Sequence, residues 1–286
     1  MAGEINVPSD IHTDYGKRAW SALVADPSSA LICSDFDGVL SPIVLDPDAA
    51  WASEETVSAL ARLGRYVGKV AVVTGRMARK AVELGRLDQR AGLDSMSVLG
   101  LYGFERWDAD SGAYAEPTAP AGVAAAALEI PGILADLGLS AARVEDKRLS
   151  IGVHTRELAD PNGALAALTG PLTALCEKHE LRLEPGKFVF ELRAPGVDKG
   201  DAVRRLVDEV SPRAVVFAGD DLGDVPAFEA VRTLRESGAI EGLLICSAST
   251  EQNALVELAD VVVEGPPGVA VLFDQLADAL EASTWA

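Results

Sequence analysis

Short runs of continuous apolar residues alternate along this chain with longer stretches in which apolar positions recur at helical spacing. The runs are "ALICSDF", "GKVAVVTGR", "MSVLGLYGFE", "RAVVFAGDD", "GLLICSA" and "ADVVVEG", and most carry glycine or aspartate at or near their ends. Between and around them the spacing predicts helices at 14–25, near 53–65, near 77–85, at 199–209, at 225–237, near 251–258 and from about 267 to 281. Strands that are apolar on both faces and alternate with helices belong in a parallel sheet covered on both sides. The expected fold class is therefore α/β, with a Rossmann-like parallel-sheet core. In such sheets the working crevice lies beyond the carboxyl ends of the strands.

Residues 110–195 break this rhythm. "AGVAAAALEIPGILADLG" reads as a helix, and "ARVEDKRLSIGVHTRE" as two strands around a turn at Lys147–Arg148. A helix at 161–179 follows, then "LRLEPGKFVFELRAP" as a hairpin turning at Pro185–Gly186. This αββαββ order predicts an inserted α+β domain over 110–195, with the core formed by 1–109 and 196–286.

Composition narrows the partners. The chain has 286 residues, 49% of them hydrophobic, enough to bury a large core. With 44 acidic against 25 basic residues the net charge is −19, which repels nucleic acid and anionic membranes. No apolar stretch approaches the length of a membrane span, and the N-terminus lacks the pattern of a secretory signal, so a soluble cytoplasmic protein is expected. Cys33, Cys176 and Cys246 are far apart and sit in apolar sequence, as packing thiols do. His154 and His179 have no partner at metal-ligand spacing and read as surface or packing residues.

The strand ends collect an unusual set of polar residues: Asp35 and Asp37, then Thr74 and Arg76, then Lys199 at a helix start, then Asp220, Asp221 and Asp224. Each member alone has an ordinary explanation as a turn or a cap, and for Asp221 tuning of the site or capping of the following helix remains the preferred reading. Together, on one sheet edge, they suit phosphoryl transfer. Asp35 is placed to attack phosphorus and Asp37 to give and take the proton. Asp35 and Asp220 suit a hard divalent cation, while Thr74 and Lys199 offer a hydroxyl and a fixed positive charge to phosphate oxygens.

The motifs "DFDGV", "VVTGR", "DKG" and "GDDLGD" resemble those of the haloacid dehalogenase superfamily. More narrowly, "LGLYGFE", "VEDKRLSIGVHTRE", "LEPGKFVFELRAPGVDKGDAV" and "GDDLGDVPAF" are similar to the trehalose-6-phosphate phosphatases. That resemblance implies a Mg2+-dependent phosphatase of trehalose 6-phosphate working through an aspartyl-phosphate, with the insertion acting as a cap. It implies Mg2+ ligands from Asp35, the Asp37 carbonyl and Asp220, with Asp224 at or next to the metal, and Arg76 beside the phosphate. It further implies sugar contacts from Glu145, Lys147 and Glu191, a phosphate contact from Arg156, and Glu105 at the sugar mouth. The expected partners are a small sugar phosphate and, through the pathway, a trehalose-6-phosphate synthase, with no nucleic acid or membrane; a monomer is expected. Two alternatives stay open: the same chemistry on another sugar phosphate, such as sucrose 6-phosphate or a glucosylglycerol-type phosphate, and a module that binds sugar phosphate without hydrolysing it.

Overall fold

The structure is a computed structural model that describes residues 7–44, 46–115, 120–146, 149–186, 188–194, 198–248 and 255–284. The chain divides into two compact units, one of 1–116 with 198–286 and one of 117–197. The larger begins with α1 (Asp14–Ala25), β1 (Ala30–Ser34), α2 (Glu54–Leu63), β2 (Lys69–Val73), α3 (Ala78–Gly85), β3 (Met96–Gly100), β4 (Glu105–Asp108) and β5 (Ala113–Ala115). The smaller holds α4 (Ala121–Asp136), β6 (Arg143–Asp146), β7 (Ser150–His154), α5 (Pro161–Lys178), β8 (Arg182–Gly186) and β9 (Val189–Arg193). The chain then returns to the larger unit with α6 (Lys199–Val210), β10 (Ala214–Gly219), α7 (Val225–Glu236), β11 (Glu241–Ala248), β12 (Val261–Glu264) and α8 (Gly265–Thr284).

The larger unit is one eight-stranded sheet in the order β12-β11-β10-β1-β2-β3-β4-β5. Its first six strands are parallel, and β4 and β5 continue it antiparallel. Every residue of β1 and β10 is buried, because successive side chains enter opposite cores. Ile32 packs with Trp20 of α1, Leu60 of α2 and Phe273 of α8. Leu31 and Cys33 join the opposite core with Leu206 of α6 and Phe228 of α7. Side-chain caps start the helices where the sequence supplies them: Thr13 accepts from the Gly16 amide, Ser53 from Thr56 and Asp198 from Asp201.

The smaller unit is an antiparallel sheet, β6-β7-β9-β8. Ile151, Val153, Phe190 and Leu192 are buried, as are Ile130 of α4 and Leu168 of α5. The other sheet face carries charged side chains, the alternation expected when one face is covered.

Three details differ from the expectation. Ala113–Ala115, assigned by pattern to the insertion, pairs with β4 at the edge of the large sheet. β8 runs through Pro185 and Gly186, and Gly186 faces Val189, so the chain reverses after Gly186; Phe188 supplies a left-handed residue there, φ +64°. Of the helix expected near 251–258, residues 251–254 lie outside the described residues and Leu255–Leu258 form turns. The expected turn at Lys147–Arg148 also lies outside them. No described helix is long and apolar enough to cross a membrane.

A buried ion pair ties α7 to the loop before β12. Arg235 donates to Asp260 at 2.6 Å, and the Leu244 amide donates to the same carboxylate oxygen at 2.7 Å. The Thr13 hydroxyl donates to its other oxygen. Asp260→Ala strands the Arg235 guanidinium and the Leu244 amide in the core, and a loss of about 3–5 kcal/mol in urea unfolding is expected. A loss below about 1 kcal/mol would show that water reaches this pair.

Candidate active site

β10, β1 and β2 are neighbours in the middle of the sheet, and all three end on the same edge. Asp220 follows β10, Asp35 follows β1 and Thr74 follows β2. The Asp35 amide donates to the Ala218 carbonyl at 2.8 Å, extending the ladder to the first residue after β1. Carboxylates at such positions leave the core while their backbones are still held by it.

Carboxylate oxygens of Asp35, Asp220 and Asp224 come within 4.8 Å of one another, and all three residues are buried. Lys199, the first residue of α6, reaches into this cluster. Its ammonium lies 2.6 Å from Asp35 Oδ2 and 2.7 Å from Asp224 Oδ1. The other oxygen of Asp224 accepts from the backbone amide of Asp220 at 2.9 Å and from that of Asp221 at 3.4 Å. Asp224 thus orders both the lysine and the turn that carries Asp220. Asp221 accepts from the Gly223 amide at 2.8 Å and caps that turn.

Burial raises the carboxyls of Asp35 and Asp224, with the Lys199 charge opposing it in each. Burial also raises Asp220, to about 7, with help from the charges of Asp224 and Asp221. Lys199 loses hydration too, but the carboxylates of Asp35 and Asp224 outweigh that loss and hold it protonated. Three buried carboxylates against one ammonium leave two negative charges uncompensated when all are ionised. This donor set and charge suit a hard divalent cation.

Asp37 and Arg76 form a second unit at the same edge. Arg76 Nε donates to Asp37 Oδ2 and its Nη2 to Oδ1, both at 2.7 Å, a two-pronged pair. Arg76 also donates to the Pro47 carbonyl at 2.7 Å. Arg76, expected beside the phosphate, is thus bound to the residue expected to move the proton. The Thr74 hydroxyl is buried and accepts from the Arg76 amide at 3.1 Å.

The loop after β1 depends on Gly38. Its φ is +69°, and a Cβ there would sit 2.0 Å from Asp220 Oδ2. Glycine is needed both for the left-handed turn and for the approach of the carboxylate. Ser247, at the end of β11, donates to the Gly38 carbonyl at 2.6 Å and holds this loop from the other side. Sequence reasoning did not single out Ser247, although a polar residue closing the apolar run "GLLIC" on the same edge is a usable signal.

Glu105, expected at the sugar mouth, is buried against the start of α3. Its Oε2 accepts from the Ala78 amide at 2.9 Å, capping α3 directly after the Thr74–Arg76 loop. The same connection grips that loop by its backbone. The Leu101 amide donates to Arg76 O at 2.8 Å and the Tyr102 amide to Thr74 O at 2.9 Å. Leu101 and Tyr102 are both left-handed, φ +46° and +59°, a strained pair of the kind found at functional sites.

In the smaller unit Glu145 and Glu191 lie in one cross-strand row, each opposite Gly152. The structure therefore brings these two onto one face. Arg156 follows β7 and is exposed, its guanidinium 5.7 Å from the centre of the Phe188 ring. Lys147 lies outside the described residues. His179 is held by Glu129 at 2.8 Å, a packing role. His154, read as surface or packing, contacts Glu145 at 2.9 Å.

Known structures share this architecture. A haloacid dehalogenase-like hydrolase from Bacteroides thetaiotaomicron superposes with a TM-score of 0.57 at 14% identity, covering 86% of this chain and 99% of that one. Trehalose-6-phosphate phosphatase of Aspergillus fumigatus superposes with a TM-score of 0.74 at 22% identity, covering 94% and 98%. The fold is that of the haloacid dehalogenase-like α/β proteins. Within that class, residues 133–261 match the model of the trehalose-phosphatase family. Trehalose-phosphate phosphatases of Mycobacterium marinum and Mycobacterium tuberculosis are both 32% identical to the chain, over 264 and 261 residues, or 86% and 85% of it. The matched chain spans 61% and 60% of their own lengths. The family that this chain resembles is thus the trehalose-phosphatase family, by family model and by sequence.

Proposed function

We propose that the chain is a cytoplasmic, Mg2+-dependent phosphatase that hydrolyses trehalose 6-phosphate. The observation that carries the reading is the buried cluster of Asp35, Asp220, Asp224 and Lys199 at the carboxyl edge of the sheet. Asp35, with Asp220 and the backbone carbonyl of Asp37, would hold Mg2+, and Asp224 would act through Lys199 and the Asp220 turn. The cation would supply charge neutralisation between an attacking carboxylate and a phosphate.

The remaining roles follow from the side chains. An oxygen of Asp35 attacks phosphorus and the bond to the sugar oxygen breaks, forming an aspartyl-phosphate; water then attacks the phosphorus and frees Asp35. Asp37 protonates the departing sugar oxygen and takes a proton from that water. Arg76 holds Asp37 through both carboxylate oxygens, so to act as the acid Asp37 must first free one of them and take up the proton that it then gives to the sugar oxygen and regains from the attacking water. Lys199 and Thr74 bind phosphate oxygens, the lysine fixed in position by Asp224. The smaller unit serves as a cap whose Glu145, Lys147 and Glu191 accept from and donate to sugar hydroxyls, while Arg156 binds the phosphate. Similarity to the trehalose-phosphate phosphatases supports the choice of sugar.

A substrate comparison tests this. Phosphate release is measured with Mg2+ on trehalose 6-phosphate, sucrose 6-phosphate and glucose 6-phosphate at equal concentration, and the first is expected to have the highest kcat/KM. Preference for another sugar phosphate would keep the chemistry and discard the sugar. Binding without release from any of them would replace the enzyme reading with a binding module.

A further inference from the structure

On the charged face of the small sheet, Glu145 of β6, Gly152 of β7 and Glu191 of β9 stand in one row. Both carboxylates are anchored from β7. His154 Nε2 lies 2.9 Å from Glu145 Oε2, and the Ser150 hydroxyl donates to Glu191 Oε1 at 2.6 Å. Ser150, Gly152 and His154 alternate along β7 and therefore share the face of the two glutamates. Arg143 and Arg193 also approach, but at 3.4 Å and 3.5 Å they are the longer contacts.

Gly152 explains how the imidazole reaches Glu145. A Cβ there would lie 3.0 Å from His154 Nε2 and 3.7 Å from the Glu145 Cβ. The ring lies across the strand in the space a side chain would otherwise take. Glycine inside a strand weakens it, and one such site is where another group approaches the backbone closely. A salt-bridged surface needs no such glycine. Two strand spacings, about 9.6 Å, separate the backbones of the glutamates, and their carboxylates rise from one side of the sheet. That arrangement suits a polyhydroxylated ring presented to the face.

We propose that His154, lying across Gly152, and Ser150 are positioning residues that set Glu145 and Glu191 as a two-sided clamp for the hydroxyls of a hexose ring. This rests on the sugar-phosphate reading given above and deepens it. Carboxylates already fixed by β7 meet the hydroxyls without first being ordered, so the benefit falls on the sugar and not on the phosphate chemistry.

The test compares trehalose 6-phosphate with p-nitrophenyl phosphate, which has no hydroxyls for the clamp. His154→Ala is expected to lower the ratio of the two kcat/KM values on the order of tenfold, mainly through KM for the sugar phosphate. His154→Gln, whose amide can donate near the position of Nε2, should recover most of that loss. Gly152→Ala, which removes no polar group, should lower the ratio by displacing the ring. Parent protein without preference for the sugar phosphate would overturn the substrate reading and this inference with it. A selective parent whose His154→Ala and Gly152→Ala variants keep the parent ratio, or lose both activities equally, would overturn the inference alone. Gly152→Ala keeps every polar group, so it carries the test even where His154→Ala fails to fold.

Discussion

Asp35→Asn is expected to lower phosphate release from trehalose 6-phosphate by at least about 10⁴-fold while leaving the fold intact. The amide has nearly the shape of the carboxylate, so the Phe36 amide, 2.6 Å from Asp35 Oδ1, keeps an oxygen within reach. On the proposed mechanism the substitution removes the nucleophile, since an amide does not form an acyl phosphate. Lys199 keeps its contact with Asp224 at 2.7 Å, and one of three crowded carboxylates has been neutralised. The variant should therefore melt within a few degrees of the parent, as a change of about 1 kcal/mol implies. Rapid-quench labelling should trap a hydroxylamine-sensitive phosphoryl group on the parent and none on the variant. Turnover near the parent rate would remove Asp35 from the role of nucleophile.

Removing the divalent cation is expected to abolish release as completely, and its binding should carry a pH signature. The Asp220 carboxyl is pushed by burial to about 7 from its ordinary 3.8. Between those values the folded protein holds a proton that the unfolded chain has given up. The metal-free protein therefore loses the Asp220 contribution to stability as the pH rises through this window. A cation that binds Asp220 must displace the proton. Below pH 7 its apparent affinity should fall by about tenfold per pH unit for one proton released. The rise in melting temperature on adding Mg2+ is thus expected to be small at pH 5 and to level off above pH 7. An equal rise at pH 5 and pH 8 would mean either that Asp220 has no proton to surrender or that it does not hold the ion.

The six apolar runs are the parallel strands of the large sheet, and the helices at 14–25, 199–210 and 225–236 lie where their periodicity put them. Local pattern was sufficient there because strands buried on both faces admit little other sequence. It was insufficient at 113–115, where three residues join the sheet edge through pairing with β4. It also misjudged 185–186, where proline and glycine, usual turn residues, continue an outer strand of the small sheet.

The sequence by itself determined which residues stand at the carboxyl edge. Asp35, Thr74 and Asp220 each follow an apolar run, and in a parallel sheet all such runs end on one side. Only the tertiary structure decided which side chains meet there. Lys199 joins Asp35 to Asp224, Arg76 closes on Asp37, Glu105 caps α3 and His154 crosses Gly152 to Glu145. Those contacts depend on strand order, cross-strand register and the direction of each side chain. Residues remote in the sequence are brought within hydrogen-bond distance by the packing of the whole sheet, and no local spacing encodes that.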